Sequence, residues 1–92
     1  MTNLQGSPDQ YIEVDISLKV ADPAVSDKIR TYMPAIRNAM ILLLGSKNAS
    51  QLSSTEGKQQ LVRESKDAFN HLLGLTEKNG ITDVLFGYFV MQ

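Results

Sequence analysis

The sequence has no cysteine. That excludes disulfides, thiolate chemistry and any cysteine-held zinc site. It leaves the compartment open, because cytoplasmic and bacterial periplasmic domains alike can do without cysteine. Histidine is scarce too. His71 is the only one, and Asp67, four residues earlier, is its one acidic neighbour at helical spacing; a metal site needs more ligands than that. Long apolar runs are missing. The most apolar stretch, Ala39–Leu44, is six residues, against the ~20 that a membrane-spanning helix requires. No signal-peptide pattern follows Met1; Thr-Asn-Leu-Gln-Gly-Ser-Pro reads as a turn. Charge of one sign is also lacking. Nine basic residues face ten acidic ones for a net charge of −1, so there is neither the basic footprint of a nucleic-acid binder nor a polybasic membrane-surface patch.

What is present describes one small domain over residues 1–92. With 42% hydrophobic and 21% charged residues, the chain can build one core but has little room for a deep pocket. Residues 1–9 gather Asn3, Gly6, Ser7, Pro8 and Asp9, a composition that predicts loop. Ile12, Val14, Ile16, Leu18 and Val20 then alternate with Tyr11, Glu13, Asp15, Ser17 and Lys19, which predicts a strand with one buried face. Asp22-Pro23 supplies an N-cap and a proline suited to the first helical turn. Val25, Ile29 and Met33 recur every four residues until Pro34, which either kinks this helix or begins a second.

Ala35–Leu44 continues helically, with Ile36, Met40 and Leu43 on one stripe. Ile41, Leu42 and Leu44 make it apolar nearly all round, as in a central helix or one that faces a partner. After Gly45-Ser46-Lys47-Asn48, a short turn at Ala49–Leu52 is expected. Ser53 with Glu56 reads as a capping box, opening a long helix from about Ser54 to Leu73. In it Leu61, Ala68, Leu72 and Leu75 form one row beside Val62, Phe69 and Leu73. Gly74 and Asn79-Gly80 are stop signals. Ile81–Gln92 reads as a second strand. Regular alternation puts Val84, Phe86, Tyr88 and Val90 on one face and Leu85, Phe89 and Met91 on the other, with Gly87 between. Both faces are apolar, which points to contact with a partner as well as with the domain's own helices. The expected fold is α+β, a small antiparallel sheet with two or three helices on one face in the order strand-helix-helix-strand. Two strands alone are marginal, so a third strand or another chain should complete the sheet.

Chemistry is thinly represented. No serine stands in a nucleophile-elbow pattern. Gly45-Ser46-Lys47 and Gly57-Lys58 lack the glycine spacing of a phosphate loop, and Asn48-Ala49-Ser50 matches a glycosylation sequon of a kind that arises by chance. Glu13 and Asp15 share a strand face, but it is the solvent face with Lys19. A hydrolase would rest on scattered serines and His71 alone. The residues favour a binding module without cofactor. Leu85, Phe86, Tyr88, Phe89 and Met91 of the last strand, with Ile41 and Leu44 of the second helix, are the candidate contacts. A module that senses a small molecule between helices and sheet is the alternative.

An ordered set of segments resembles the C-terminal domain of the FliL family, which is associated with the flagellar basal body. The set comprises Asn3-Leu4, Tyr11 through Asp22, Met33-Pro-Ala-Ile-Arg-Asn38 with the leucine-rich run to Ser46-Lys47, Leu52, Thr55-Glu-Gly-Lys58, Leu61, and Val84 to Gln92. The resemblance implies a single-pass inner-membrane protein with this domain in the periplasm. It also implies association with stator subunits and the basal-body ring, and a part in torque and swarming. A likeness to the scaffold domain of stomatin-type proteins implies homo-oligomeric rings. The family's transmembrane helix, and its first strand before Asn3, are not in this sequence, so a shortened form is expected.

Overall fold

The computed structural model describes residues 2–4 and 7–91, with side chains described for residues 12–90. The elements are β1 (Thr2–Leu4), β2 (Ser7–Val20), α1 (Pro23–Thr31), α2 (Met33–Gly45), α3 (Ala49–Ser53), α4 (Thr55–Leu73) and β3 (Ile81–Met91). The architecture is α+β, with three antiparallel strands in the order β1-β2-β3 and the helices inserted between β2 and β3. The third strand comes from this chain itself. Thr2 pairs with Ile12 and Asn3 with Tyr11, so residues 2–4 and 7–9 are strand where their composition predicts loop. Ladder partners on β2 outweigh local propensity there. Pro8 is tolerated because it falls in the irregular stretch between the Asn3–Tyr11 and Leu4–Ser7 pairs, where its missing N–H breaks no regular ladder.

Local chemistry sets the helix boundaries. Asp22 accepts a 2.8 Å hydrogen bond from the Ala24 amide, with Pro23 at the first helical position. Pro34 starts a helix rather than kinking one. α1 ends at Thr31, and α2 begins at Met33 with the proline in its first turn, where no intrahelical N–H is required. The capping box lies earlier than Ser53–Glu56. Asn48 and Gln51 cap each other reciprocally at α3, while Ser53 closes α3 and Ser54 caps α4 by accepting from the Gly57 amide. Gly74 ends α4 at φ +70°, a left-handed conformation that glycine adopts without a Cβ penalty.

The core lies between helices and sheet. Ile12, Ile81 and Val84 rise from the strands to meet Leu61, Phe69 and Leu73 of α4, Ile36, Met40 and Leu44 of α2, Leu52 of α3, and Val25 and Ile29 of α1. The buried line of α4 is Leu61, Ser65, Phe69 and Leu73, with Ala68 and Leu72 half-buried at its margins. Ser65 enters the core because its hydroxyl donates to the Met40 sulfur at 3.6 Å, a soft acceptor that satisfies an otherwise costly buried group. Asn70 ties α4 to the sheet. Its Nδ2 donates to the Ile81 carbonyl at 2.9 Å and its Oδ1 accepts from the Ile81 amide at 2.7 Å. This side chain completes the backbone bonding of the residue where β3 starts.

Outside the core, Lys47 donates to both oxygens of Glu64, at 2.9 and 2.8 Å, and so fastens the α2–α3 connection to α4. The Lys47 hydrogen bond, assisted by the Gln60 amide, holds the Glu64 carboxyl below the usual glutamate range despite the opposing effect of partial burial.

Two stability measurements check this account. Asn70→Ala leaves a buried amide and a buried carbonyl unpaired, and should lower unfolding free energy by about 2–4 kcal/mol in urea titrations; a change under about 1 kcal/mol would show that the clamp is dispensable. Glu64→Gln removes a group whose carboxyl is harder to protonate in the folded state. It should cost about 0.5–1 kcal/mol at neutral pH. That difference should vanish as pH falls through the depressed folded-state value, because the stabilisation exists only while Glu64 is ionised.

Candidate interaction surfaces

The outer face of the sheet is set by two irregularities in β3. The ladder runs Ile12–Met91, Glu13–Val90, Val14–Phe89 and Asp15–Tyr88, then passes to Ile16–Phe86; lower down it passes from Lys19–Asp83 to Val20–Ile81. Gly87 and Thr82 are therefore extra residues on β3, each forming a bulge. Gly87 shifts the alternation. Phe86 and Phe89 both lie on the helix side, packed against the core, with ring centroids 5.7 Å apart and edge to face at 76°. The Lys58 ammonium sits 5.3 Å from the Phe89 ring centroid, a cation–π contact from α4. The outer face instead receives Leu85, Tyr88 and Val90, all exposed.

This corrects the grouping drawn from regular alternation. The candidate contacts Phe86 and Phe89 are half-buried beneath the helices, not on the open face. Leu85 and Tyr88 are open, at 42% and 52% exposure. Val90, which was not among the candidate contacts, joins them, because the extra residue at Gly87 puts it on the face of Leu85. The side chain of Met91 lies outside the described residues. On α2, Ile41 is exposed but Leu44 is buried in the core. Leu42, at 66% exposure, is the most open apolar residue of that helix. At the bulge, the exposed Asp15 carboxylate on the neighbouring strand lies over the position that a Cβ at residue 87 would take, so a side chain there would have to turn that carboxylate aside.

The outer face thus has two stripes. Leu85, Tyr88 and Val90 form an apolar stripe on β3, and the exposed Glu13, Asp15, Ser17 and Lys19 form a polar one on β2. Lys19 stands opposite Asp83 across the ladder, a favourable pairing of charges. No described element covers this face.

A second surface opens on the helix side. Between β2 and the α1–α2 pair runs an open groove of about 690 Å³. Its floor is Val14, Ile16, Leu18 and Val20, and Arg30 and Arg37 stand among the residues of its helical wall. His71 lies exposed on the last turn of α4. Among the described residues, no three histidine, aspartate or glutamate side chains gather as metal ligands.

Comparison with known proteins gives this geometry a setting. The profile described as "Flagellar basal body-associated protein FliL" matches residues 1–92. The chain belongs to the FliL family. The Flagellar protein FliL of Escherichia coli strain K12 is 30% identical over 88 residues, covering 95% of this chain and 57% of that protein. The Flagellar protein FliL of Aquifex aeolicus strain VF5 is 32% identical over 82 residues, covering 89% of this chain and 49% of that protein. The chain spans about half the length of these FliL relatives. Among its described residues no helix is long and apolar enough to cross a membrane.

The bulge in this FliL-family domain is open to a deletion test. Removing Gly87 restores regular alternation while Phe86 and Phe89 stay inside and Tyr88 stays outside. Its stability should change less than that of the Leu85 deletion below. Removing Leu85 instead sends Phe86 outward and puts Gly87 beneath the helices, which should cost about 2–3 kcal/mol through lost burial and a cavity. Equal losses for the two deletions in urea unfolding would contradict the assigned faces.

Proposed function

We propose that this domain is a non-enzymatic interaction and scaffold module of the flagellar basal body. It acts on the periplasmic face of the bacterial inner membrane, within a longer single-pass protein. Family membership supports the flagellar setting. In this reading the domain associates with stator units of the motor, self-assembles in a stomatin-like ring around them, and supports torque and swarming.

The observation that carries the reading is the stripe of Leu85, Tyr88 and Val90 on an uncovered sheet face. Its three side chains stand in one row on a hydrogen-bonded strand, so their spacing is fixed before a partner arrives. A pre-ordered apolar row loses little conformational entropy on docking. Ile41 and Leu42 of α2 offer a second contact. The rival reading, a small-molecule sensor, draws on the apolar groove, whose volume falls in the range of ligand sites.

The motility test uses the outward residues. Leu85→Asp and Tyr88→Asp, introduced separately into the full-length protein, should leave the domain folded and reduce swarm expansion severalfold. Each places a charge within the docking row, and the few residues that dominate an interface cost about 2 kcal/mol or more when truncated. Normal swarming by both folded variants would remove this face from the interface.

A further inference from the structure

The two exposed apolar surfaces of this domain are flanked by opposite charges. On the outer face of the sheet, the ladder sets Val90 beside Glu13, Tyr88 beside Asp15 and Leu85 beside Ser17. The row on β3 therefore has two carboxylates along its β2 side. Neither acid has an ion-pair partner among the described residues. Of the nine basic residues, Lys19 alone lies on a strand, and it stands opposite Asp83. The rest are on helices or in the connections that follow them.

The solvent side of α2 is the complement. With about 3.6 residues per turn, Leu42, Ile41 and Arg37 follow one another around that side, and all three are exposed. An apolar pair at one margin of the helix thus gives way to a cation at the other. Arg30 is engaged by Asp27 at 2.9 Å, whereas Arg37 has no ion-pair partner among the described residues. The widths agree as well as the signs. Adjacent strands lie about 4.8 Å apart and a helix is about 10 Å across, so one helix covers β3 and β2 together. With Leu42 and Ile41 over the β3 row, Arg37 falls over β2, where Glu13 and Asp15 stand.

We propose that the outer sheet face is occupied by α2 of a second copy of this chain. This rests on the self-assembly reading above and names the two surfaces that meet. Pairing of two sheet faces is the poorer arrangement, because it brings Glu13 and Asp15 of both copies together while Lys19 already faces Asp83. The same carboxylates oppose an anionic membrane surface. Since the two surfaces differ, each copy gives α2 to one neighbour and its sheet to another. The contact is heterologous and propagates from copy to copy.

Sedimentation velocity over a range of protein concentrations tests this. The average mass of the chain should rise with concentration. Leu85→Asp blocks the sheet and Leu42→Asp blocks the helix. Both positions are exposed, so both variants should stay folded, and each alone should remain monomeric. Mixed in equal amounts they should form a dimer and nothing larger, because one intact sheet then meets one intact helix. Arg37→Glu should weaken association roughly tenfold, and Asp15→Lys in the same chain should restore it. A monomer at every concentration, or self-association by either blocked variant alone, would overturn the proposal. So would a mixture that stays monomeric, or a charge swap without recovery. Swarming separates this proposal from the reading it rests on. In the full-length protein, a defect with Leu85→Asp but none with Leu42→Asp would keep the docking row and give it another occupant, which sinks the α2 contact alone.

Discussion

The pairing of β2 with β3 is the constraint on which the rest of this domain depends. It joins segments at opposite ends of the chain, Ile12 to Met91 at one extreme and Val20 to Ile81 at the other, and every helix lies in the connection between them. Closing so long a loop costs conformational entropy before any contact offsets it. The return comes from the inward rows of both strands, which give the helices a surface to pack on. Asn70 fixes where the return strand begins by bonding both backbone groups of Ile81. A shift of one residue at that point would turn Val84 to solvent and bring Leu85 inside.

The bulge at Gly87 is how the same ladder serves two surfaces. A strand of strictly alternating geometry would send Phe89 outward and Tyr88 inward. With one extra residue, the phenylalanines remain edge to face under α4 while Leu85, Tyr88 and Val90 line up outside. The fold core and the proposed docking row are thus separated by a local backbone feature rather than by distance.

The sheet is also uneven. β3 covers the whole length of β2 from Ile12 on one side, whereas β1 covers only its beginning on the other. The apolar groove runs between β2 and the α1–α2 pair.

Much of this was determined by local sequence. The alternation from Tyr11 to Val20 specifies a half-buried strand, because side chains on a strand point to opposite faces in turn. Asp22-Pro23 starts a helix and Gly74 ends one through hydrogen bonds and backbone angles confined to a few residues. The ordered segments from Asn3 to Gln92 carry the family likeness. Other features needed the tertiary structure. Thr2–Leu4 is strand because β2 offers it partners. Leu44 is core and Leu42 is exposed because α2 packs beside α4 over the sheet, a placement its nearly all-apolar composition does not encode. Phe86, Phe89 and Val90 took their faces from a register set across the ladder, where a single glycine absorbs one residue. Spacing along one strand cannot show that extra residue, since a bulge exists only relative to the strand beside it.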